Sequence, residues 1–193
     1  FNNALMPILG FSELILKKPE QSDQSKVVRY MQKIHAAAQG AAAVVARMRE
    51  FYRPREHNEN FVLTDLNQLI EYTIAFTQPR WKDEAQAAGK QIGIELQLGN
   101  IGRISALEAG LREAVVNLIF NAVDAIPKEG KITIHTRQDD QYVILEIRDT
   151  GTGMSEEIRR RCFEPFFTTK GPQGNGLGLA MVHGIIRRHE GTV

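Results

Sequence analysis

The feature that most constrains the fold is a heptad stripe of apolar residues between positions 27 and 52. Steps of four and three along this stripe define the a/d seam of a coiled coil or helical bundle. Its members are Val27, Met31, Ile34, Ala38, Ala41, Val45, Met48 and Tyr52. A shorter amphipathic helix precedes it over 5–16, with Pro7 expected to bend that helix or to mark its first turn. The polar stretch 17–25 predicts the turn between two antiparallel helices.

The two helices of this hairpin differ in length. The first offers about 16 residues, or about 24 Å, and the second about 28 residues, or about 42 Å. The distal heptads of the second helix therefore lack a partner, and we expect the first helix to begin upstream of Phe1. One hairpin cannot bury both flanks of the stripe, so we also expect a homodimer through a four-helix bundle.

Beyond a polar linker at 53–60 the chain mixes strand and helix periods. The patterns predict strands at 61–63, 92–98, 131–137 and 142–148, and helices at 65–88, 107–126, 156–161 and 179–188. Thr64 or Asp65 should cap the first of these helices, and Pro79 should kink it. The fold class is α+β: a helical hairpin at 1–55, half of a dimeric four-helix bundle, precedes an α/β sandwich at 60–193 with helices on one face of one sheet.

Composition excludes several classes of protein. A net charge of +1 provides no field that would attract nucleic acid or a membrane surface. The single cysteine, Cys162, cannot form an internal disulfide, and we expect a small, partly buried side chain there. No apolar run approaches the roughly 20 residues of a membrane span, so this segment is expected to be cytoplasmic, although flanking sequence could anchor the parent protein.

Two asparagines on the helix at 107–126 form the first candidate site. Asn117 and Asn121 are four residues apart, so both amides face the same way. An amide oxygen suits Mg²⁺ when phosphates supply most of the other ligands. The alternative is a pair of helix-surface asparagines, but the apolar residues around them indicate a mostly buried helix.

A carboxylate at a strand end forms the second candidate site. Asp149 follows the strand at 142–148 and precedes Gly151 and Gly153. Such a carboxylate can accept a hydrogen bond from the exocyclic amine of adenine, and the glycines let the backbone approach a flat base. The alternative is a plain Asp-Thr-Gly turn, which is common.

A glycine-rich segment before the last helix forms the third. Gly174, Gly176 and Gly178 can present backbone N–H groups to phosphate at a helix N-terminus. The segment before them reads as a mobile lid whose Lys170 could reach a phosphate, and a solvated surface lysine is the alternative.

Taken in order, these motifs and the run from Phe163 to Lys170 resemble the N box, first glycine box, F box and second glycine box of sensor histidine kinases, in particular the nitrogen-regulation-sensor subgroup. The resemblance implies the Bergerat ATP-binding fold, Mg-ATP as the cofactor and a response-regulator receiver domain as the partner. It implies Asn121 as the Mg²⁺ ligand and Asp149 as the adenine anchor. The remaining implied nucleotide contacts are Asn117, Gly151, Gly153, Thr168, Lys170, Gly174, Gly176, Leu177, Gly178 and Leu179.

Asn117 separates the kinases from their ATPase relatives. By resemblance, the hydrolytic members carry a glutamate at this position as the general base for water. A neutral amide cannot take that proton, which favours transfer to a separate histidine nucleophile. A Bergerat ATPase nevertheless stays as an alternative.

The resemblance places the phosphoacceptor histidine immediately before Phe1, outside this sequence. Asn3 then matches the position that orients water during dephosphorylation of the partner, and an exposed helix-start asparagine is the alternative. None of the histidines present has a phosphoacceptor context, and we expect them to be structural or at the surface: His35, His57, His135, His183 and His189. The family also continues past Val193 into further strands. Because this sequence does not contain the phosphoacceptor histidine, a nucleotide-binding dimeric scaffold without transfer activity is the other alternative.

Overall fold

The computed structural model describes residues 2–17, 24–52, 60–171 and 174–193. The chain divides into two compact units. We call Phe1–Arg53 together with Thr168–Asn175 the helical unit, and Pro54–Phe167 together with Gly176–Val193 the α/β unit. The predicted linker at 53–60 lies almost wholly outside the described residues, so the domain boundaries stay a prediction.

Two helices form most of the helical unit. They are α1, Asn2–Lys17, and α2, Gln24–Tyr52, so the predicted lengths are confirmed, while the turn between them lies outside the described residues. Phe11 of α1 stacks on Tyr30 of α2 with ring centroids 5.5 Å apart. Large apolar side chains stay exposed on both helices: Met6, Leu9, Leu14, Leu16, Val28 and Met31.

The strands of the α/β unit form two sheets rather than the single sheet expected. One sheet pairs β1, Val62–Thr64, antiparallel with β3, Ile104–Ala106, a strand that the sequence patterns did not predict. The other has the order β2-β4-β5 and comprises Gln91–Leu98, Glu129–Gln138 and Val143–Asp149. Strands β2 and β4 are parallel, and β4 and β5 form the predicted antiparallel hairpin. Strand β4 begins at Glu129, two residues before the predicted start of this strand.

The helix after β1 changes its winding at the predicted kink. Helix α3, Leu66–Gln78, begins at the N-cap Asp65, whose side chain accepts a hydrogen bond from the Gln68 N–H. Pro79 cannot donate the next backbone hydrogen bond, and a π-helical segment, Pro79–Glu84, follows before the short α4, Ala85–Ala87.

Three further helices complete the unit: α5, Glu108–Ala125; α6, Glu156–Arg161; and α7, Gly178–Arg188. Each lies within one residue of its predicted bounds. The core is built from α3, α5 and α7 against β4, with these fully buried side chains among others: Ile70, Val115, Ile119, Ile132, Ile134 and Val182. The predicted α+β class, with N-terminal helices before an α/β domain, is confirmed. Among the described helices, none is long and apolar enough to cross a membrane.

Candidate functional site

Helix α5 positions the two candidate asparagines. Asn117 and Asn121 are both partly buried, one turn apart, with the buried Ile119 and Ala122 anchoring the opposite flank of the helix in the core. Amide side chains that leave water need hydrogen-bond or ligand partners. The helix thus holds both amides on one face at the border of the core.

The second glycine box begins α7 against these amides. A Cβ atom at Gly178 would lie 3.4 Å from Asn117 Oδ1 and 3.6 Å from Asn121 Nδ2. Leu177, the N-cap of α7, is only 2% exposed and fixes the start of this helix in the core. The N box and the second glycine box are therefore in contact.

The first glycine box packs against the end of the same helix. Asp149 ends β5, and its Oδ1 accepts a hydrogen bond of 2.8 Å from the Gly151 N–H. A Cβ atom at Gly151 would lie 2.5 Å from the carbonyl oxygen of Ala125, which accepts a hydrogen bond from the Thr152 N–H. Only glycine fits this approach. Gly153 has a φ of +67° with open space around it.

One stripe of α5 thus organises the site. Residues 117, 121 and 125 are spaced by four and follow one face of the helix. Sequence reasoning found the two asparagines but missed Ala125, whose backbone carbonyl receives the first glycine box. No sequence pattern marks Ala125, because its contact is made by the backbone carbonyl and not by the side chain.

Two basic side chains from the segment between α3 and β2 bind the C-terminal end of α5. Lys90 Nζ donates a hydrogen bond of 3.2 Å to the Val123 carbonyl, and Arg80 pairs with Asp124 at 3.1 Å. Positive charge near the last carbonyls of a helix is favourable because the helix dipole is negative there. The carboxylates of Glu84 and Asp124 raise the pKa of Arg80.

The backbone of the F box is hydrogen-bonded to the second glycine box. The Phe166 N–H donates a 2.8 Å hydrogen bond to the Gly176 carbonyl, and both residues have positive φ angles, +69° and +62°. Phe163 packs on His183 of α7, and the Arg161 guanidinium lies 4.3 Å from the ring centroid of Phe167. Phe166 is 44% exposed.

Leu179 lies in α7, and the other remaining candidate residues lie in the helical unit. Thr168 Oγ1 accepts a hydrogen bond from the Lys170 N–H, and the Gly174 N–H donates to the Gly171 carbonyl at 3.2 Å. These contacts fold the lid segment back on itself. Asn3 lies in α1.

Cys162 is not built as a nucleophile. Its thiol is partly buried and donates to the Arg159 carbonyl at 3.2 Å, and burial raises its pKa. A raised pKa lowers the thiolate fraction. The small, partly buried side chain that we expected is what the fold contains.

The glycine boxes and the N box converge on one helix, and comparison with known proteins identifies this arrangement. Residues 106–193 match the family of histidine kinase-, DNA gyrase B-, and HSP90-like ATPases. The whole chain is 32% identical to the sensor kinase CckA of Brucella abortus and spans 21% of its length. The resemblance to sensor histidine kinases is thereby confirmed, whereas the nitrogen-regulation subgroup stays a prediction.

Solved histidine kinase structures share the fold. The mycobacterial sensor histidine kinase MprB matches with a TM-score of 0.58 at 27% identity, over 67% of this chain and 80% of that one. Histidine kinase ThkA, solved in complex with the response regulator protein TrrA, matches over 97% of this chain and 52% of that one, with a TM-score of 0.66 at 22% identity.

Proposed function

We propose that this chain is the catalytic core of a two-component sensor histidine kinase that binds Mg-ATP and transfers its γ-phosphoryl group to a histidine outside this sequence. The observation that carries the proposal is the contact of Gly178 with Asn117 and Asn121, on the helix whose last residue, Ala125, receives Gly151. Base, phosphates and metal ligand then meet along one helix face.

Asp149 has the role of adenine anchor in this proposal. One carboxylate oxygen holds the Gly151 N–H, which orients the group, and a carboxylate has a second oxygen that can accept the exocyclic amine of adenine. Glycine at 151 lets the backbone approach the flat base closely.

Asn121 fits a Mg²⁺ ion that arrives with the phosphates. Its amide oxygen is a hard neutral ligand, and Mg²⁺ in nucleotide sites takes most of its ligands from phosphate and water. The described residues contain no cluster of three or more His, Cys, Asp and Glu side chains that would hold a metal without the nucleotide. The ion would neutralise charge on the phosphates during transfer.

Asn117 favours phosphoryl transfer over hydrolysis. In the transfer, an imidazole nitrogen bonds to the γ-phosphorus while the bond to the β–γ bridging oxygen breaks and ADP leaves. Attack by water would need a base, and the neutral amide of Asn117 cannot accept the proton. Hydrolysis of ATP by this chain is therefore disfavoured, and with it the ATPase alternative.

The helical unit carries the surfaces for the proposed protein partners. Exposed apolar side chains along α1 and α2, such as Leu9 and Leu16, would be buried in a homodimeric four-helix bundle. The likeness to ThkA, which was solved with a response regulator, supports a receiver domain as the second partner. In the complex with the receiver domain, Asn3 would orient water during dephosphorylation. Lys170 and Thr168 would contact the phosphates of the bound nucleotide.

Calorimetric titration with ATP, with and without Mg²⁺, tests the nucleotide site. We expect binding that requires Mg²⁺ and that weakens more than about tenfold, or about 1.4 kcal/mol, in Asp149→Asn. Glu146→Gln removes a carboxylate from the same strand and should bind as the wild type does. Absence of binding by the wild type would reject the kinase and both nucleotide-binding alternatives, and would leave only a dimeric scaffold that does not bind ATP.

Transfer is tested separately in the full-length protein. Incubation with γ-labelled ATP should produce an acid-labile phosphohistidine. Nucleotide binding without any labelled histidine would favour the scaffold without transfer activity, and release of inorganic phosphate as the main product would favour the ATPase.

A further inference from the structure

His189, at the C-terminal end of α7, bridges two helices through both nitrogens of its ring. Nε2 accepts a hydrogen bond of 3.0 Å from the backbone N–H of Leu107, and Nδ1 lies 2.8 Å from the carbonyl oxygen of Ile185. A carbonyl only accepts, so Nδ1 carries the proton and Nε2 is the acceptor. The ring of Phe61 packs beside the imidazole, with centroids 5.3 Å apart.

Leu107 is the N-cap of α5, and no side chain of its own caps that helix. The first N–H groups of a helix have no partner within the helix, and a residue at this position needs an acceptor from elsewhere. His189 supplies it from a position 82 residues away in the sequence.

Helices α5 and α7 are antiparallel and touch at three levels. The C-terminal end of α7 meets the N-terminal end of α5 at the hydrogen bond between His189 and Leu107. Further along, a Cβ atom at Gly110 would lie 3.6 Å from Ile185 Cγ2. At the other end, Gly178 meets Asn117 and Asn121. Helix α7 has 11 residues, so about 16 Å separate the contact at His189 from the contact at Gly178.

We propose that His189 is a positioning residue for the nucleotide site: its bond to Leu107 fixes α7 on α5 and so keeps Gly178 against Asn117 and Asn121. This inference rests on the proposed function for its consequence, because Gly178 and Asn121 are the proposed phosphate and Mg²⁺ contacts. Its structural part concerns the nucleotide-free chain and stands by itself.

The pair His189→Gln and His189→Asn separates this role from simple packing. The glutamine amide reaches the level of Nε2 and can accept from the Leu107 N–H. The asparagine amide, one methylene shorter, reaches only the level of Nδ1, so it can still donate to Ile185 but leaves Leu107 without its acceptor. Both variants lose the aromatic ring.

The readout is the position of the Asn117 and Asn121 side-chain amide resonances in ¹H–¹⁵N spectra of the nucleotide-free chain. We expect His189→Asn to shift both pairs of resonances and His189→Gln to leave them near their wild-type positions. In calorimetry, His189→Asn should bind Mg-ATP about tenfold more weakly, a factor equal to about 1.4 kcal/mol, while His189→Gln should stay within about twofold of the wild type.

Two results would overturn the inference. Resonances that stay in place in both variants would mean that His189 contributes only local stability, and equal shifts in both would mean that the ring and not the acceptor matters. If the wild type itself fails to bind Mg-ATP, the proposed function fails, yet the spectra of the nucleotide-free variants still decide the role of His189.

Discussion

The two units of this molecule bury their apolar residues to very different extents. In the α/β unit, Ile70, Ile119 and Ile134 are completely buried, and strands distant in sequence close the core around α5. In the helical unit, Leu9 and Leu16 are 56% and 76% exposed although both lie on an amphipathic helix. Apolar burial is the main favourable term in folding.

The stability of the two units therefore has different sources. The α/β unit contains its own core, which can hold a nucleotide site in place. The apolar residues of the helical unit form only part of a core. This is consistent with the proposed dimer, in which a second hairpin supplies the missing contacts. Trp81, the only tryptophan in the sequence, packs partly buried against the α/β core. Its fluorescence therefore reports on that unit.

The largest effect is expected for Ile119→Ala. The side chain is fully buried in the core, and its truncation should lower the free energy of unfolding by about 2–5 kcal/mol. Urea unfolding followed by Trp81 fluorescence measures it. The matched control, Leu9→Ala, shortens a half-exposed side chain of the helical unit and should change the same transition by less than about 0.5 kcal/mol. Equal effects of the two substitutions would contradict the difference in apolar burial between the two units.

A second substitution tests the close approach within the α/β unit. Gly151→Ala places a Cβ atom 2.5 Å from the Ala125 carbonyl oxygen, and we expect a loss of about 1–3 kcal/mol in the Trp81 transition together with weaker ATP binding. Gly93→Ala is the control, since its Cβ atom would meet nothing within 4 Å. If the two variants are equally stable, the end of α5 can yield, and the first glycine box is not fixed by packing.

Local patterns were sufficient for the elements that depend on their own residues. Helix α6, Glu156–Arg161, has the predicted bounds because Ser155 caps it, accepting from the Ile158 N–H, and because acidic and basic residues sit at the favourable ends. The hairpin of β4 and β5 follows from strict alternation around a polar turn, which Asp139 closes by accepting from the Tyr142 N–H.

Contacts between distant residues were not predictable in the same way. Strand β3 has three residues, too few for a period, and exists by pairing with β1 at least 40 residues earlier, as in Thr64 with Ile104. The parallel register of β2 on β4 also depends on the crossover through α5. In the candidate site, motif residues were visible in sequence, whereas the roles of Ala125 and His189 come from tertiary contacts.

The smallest effect concerns an ion pair on the open face of the three-stranded sheet. Lys131 Nζ lies 2.7 Å from Glu95 Oε2, and the hydrogen bonds from Lys131 and then from Gln97 lower the pKa of Glu95. A carboxylate whose pKa is lower in the folded state stabilises the fold above its unfolded pKa of about 4.3, and that contribution disappears as the pH falls through the folded value. Both side chains are exposed, so solvent screening keeps the contribution small.

Glu95→Gln should therefore lower the urea midpoint of the Trp81 transition slightly at pH 6, and the difference from the wild type should vanish near pH 3. Glu146→Gln, which removes the partner of Arg148 on β5, is the control for a general loss of surface charge. Added salt at pH 6 should also shrink the Glu95 difference, because screening weakens an exposed pair. A difference that persists at pH 3 would mean that packing of the Glu95 side chain, and not its charge, stabilises the edge of the sheet.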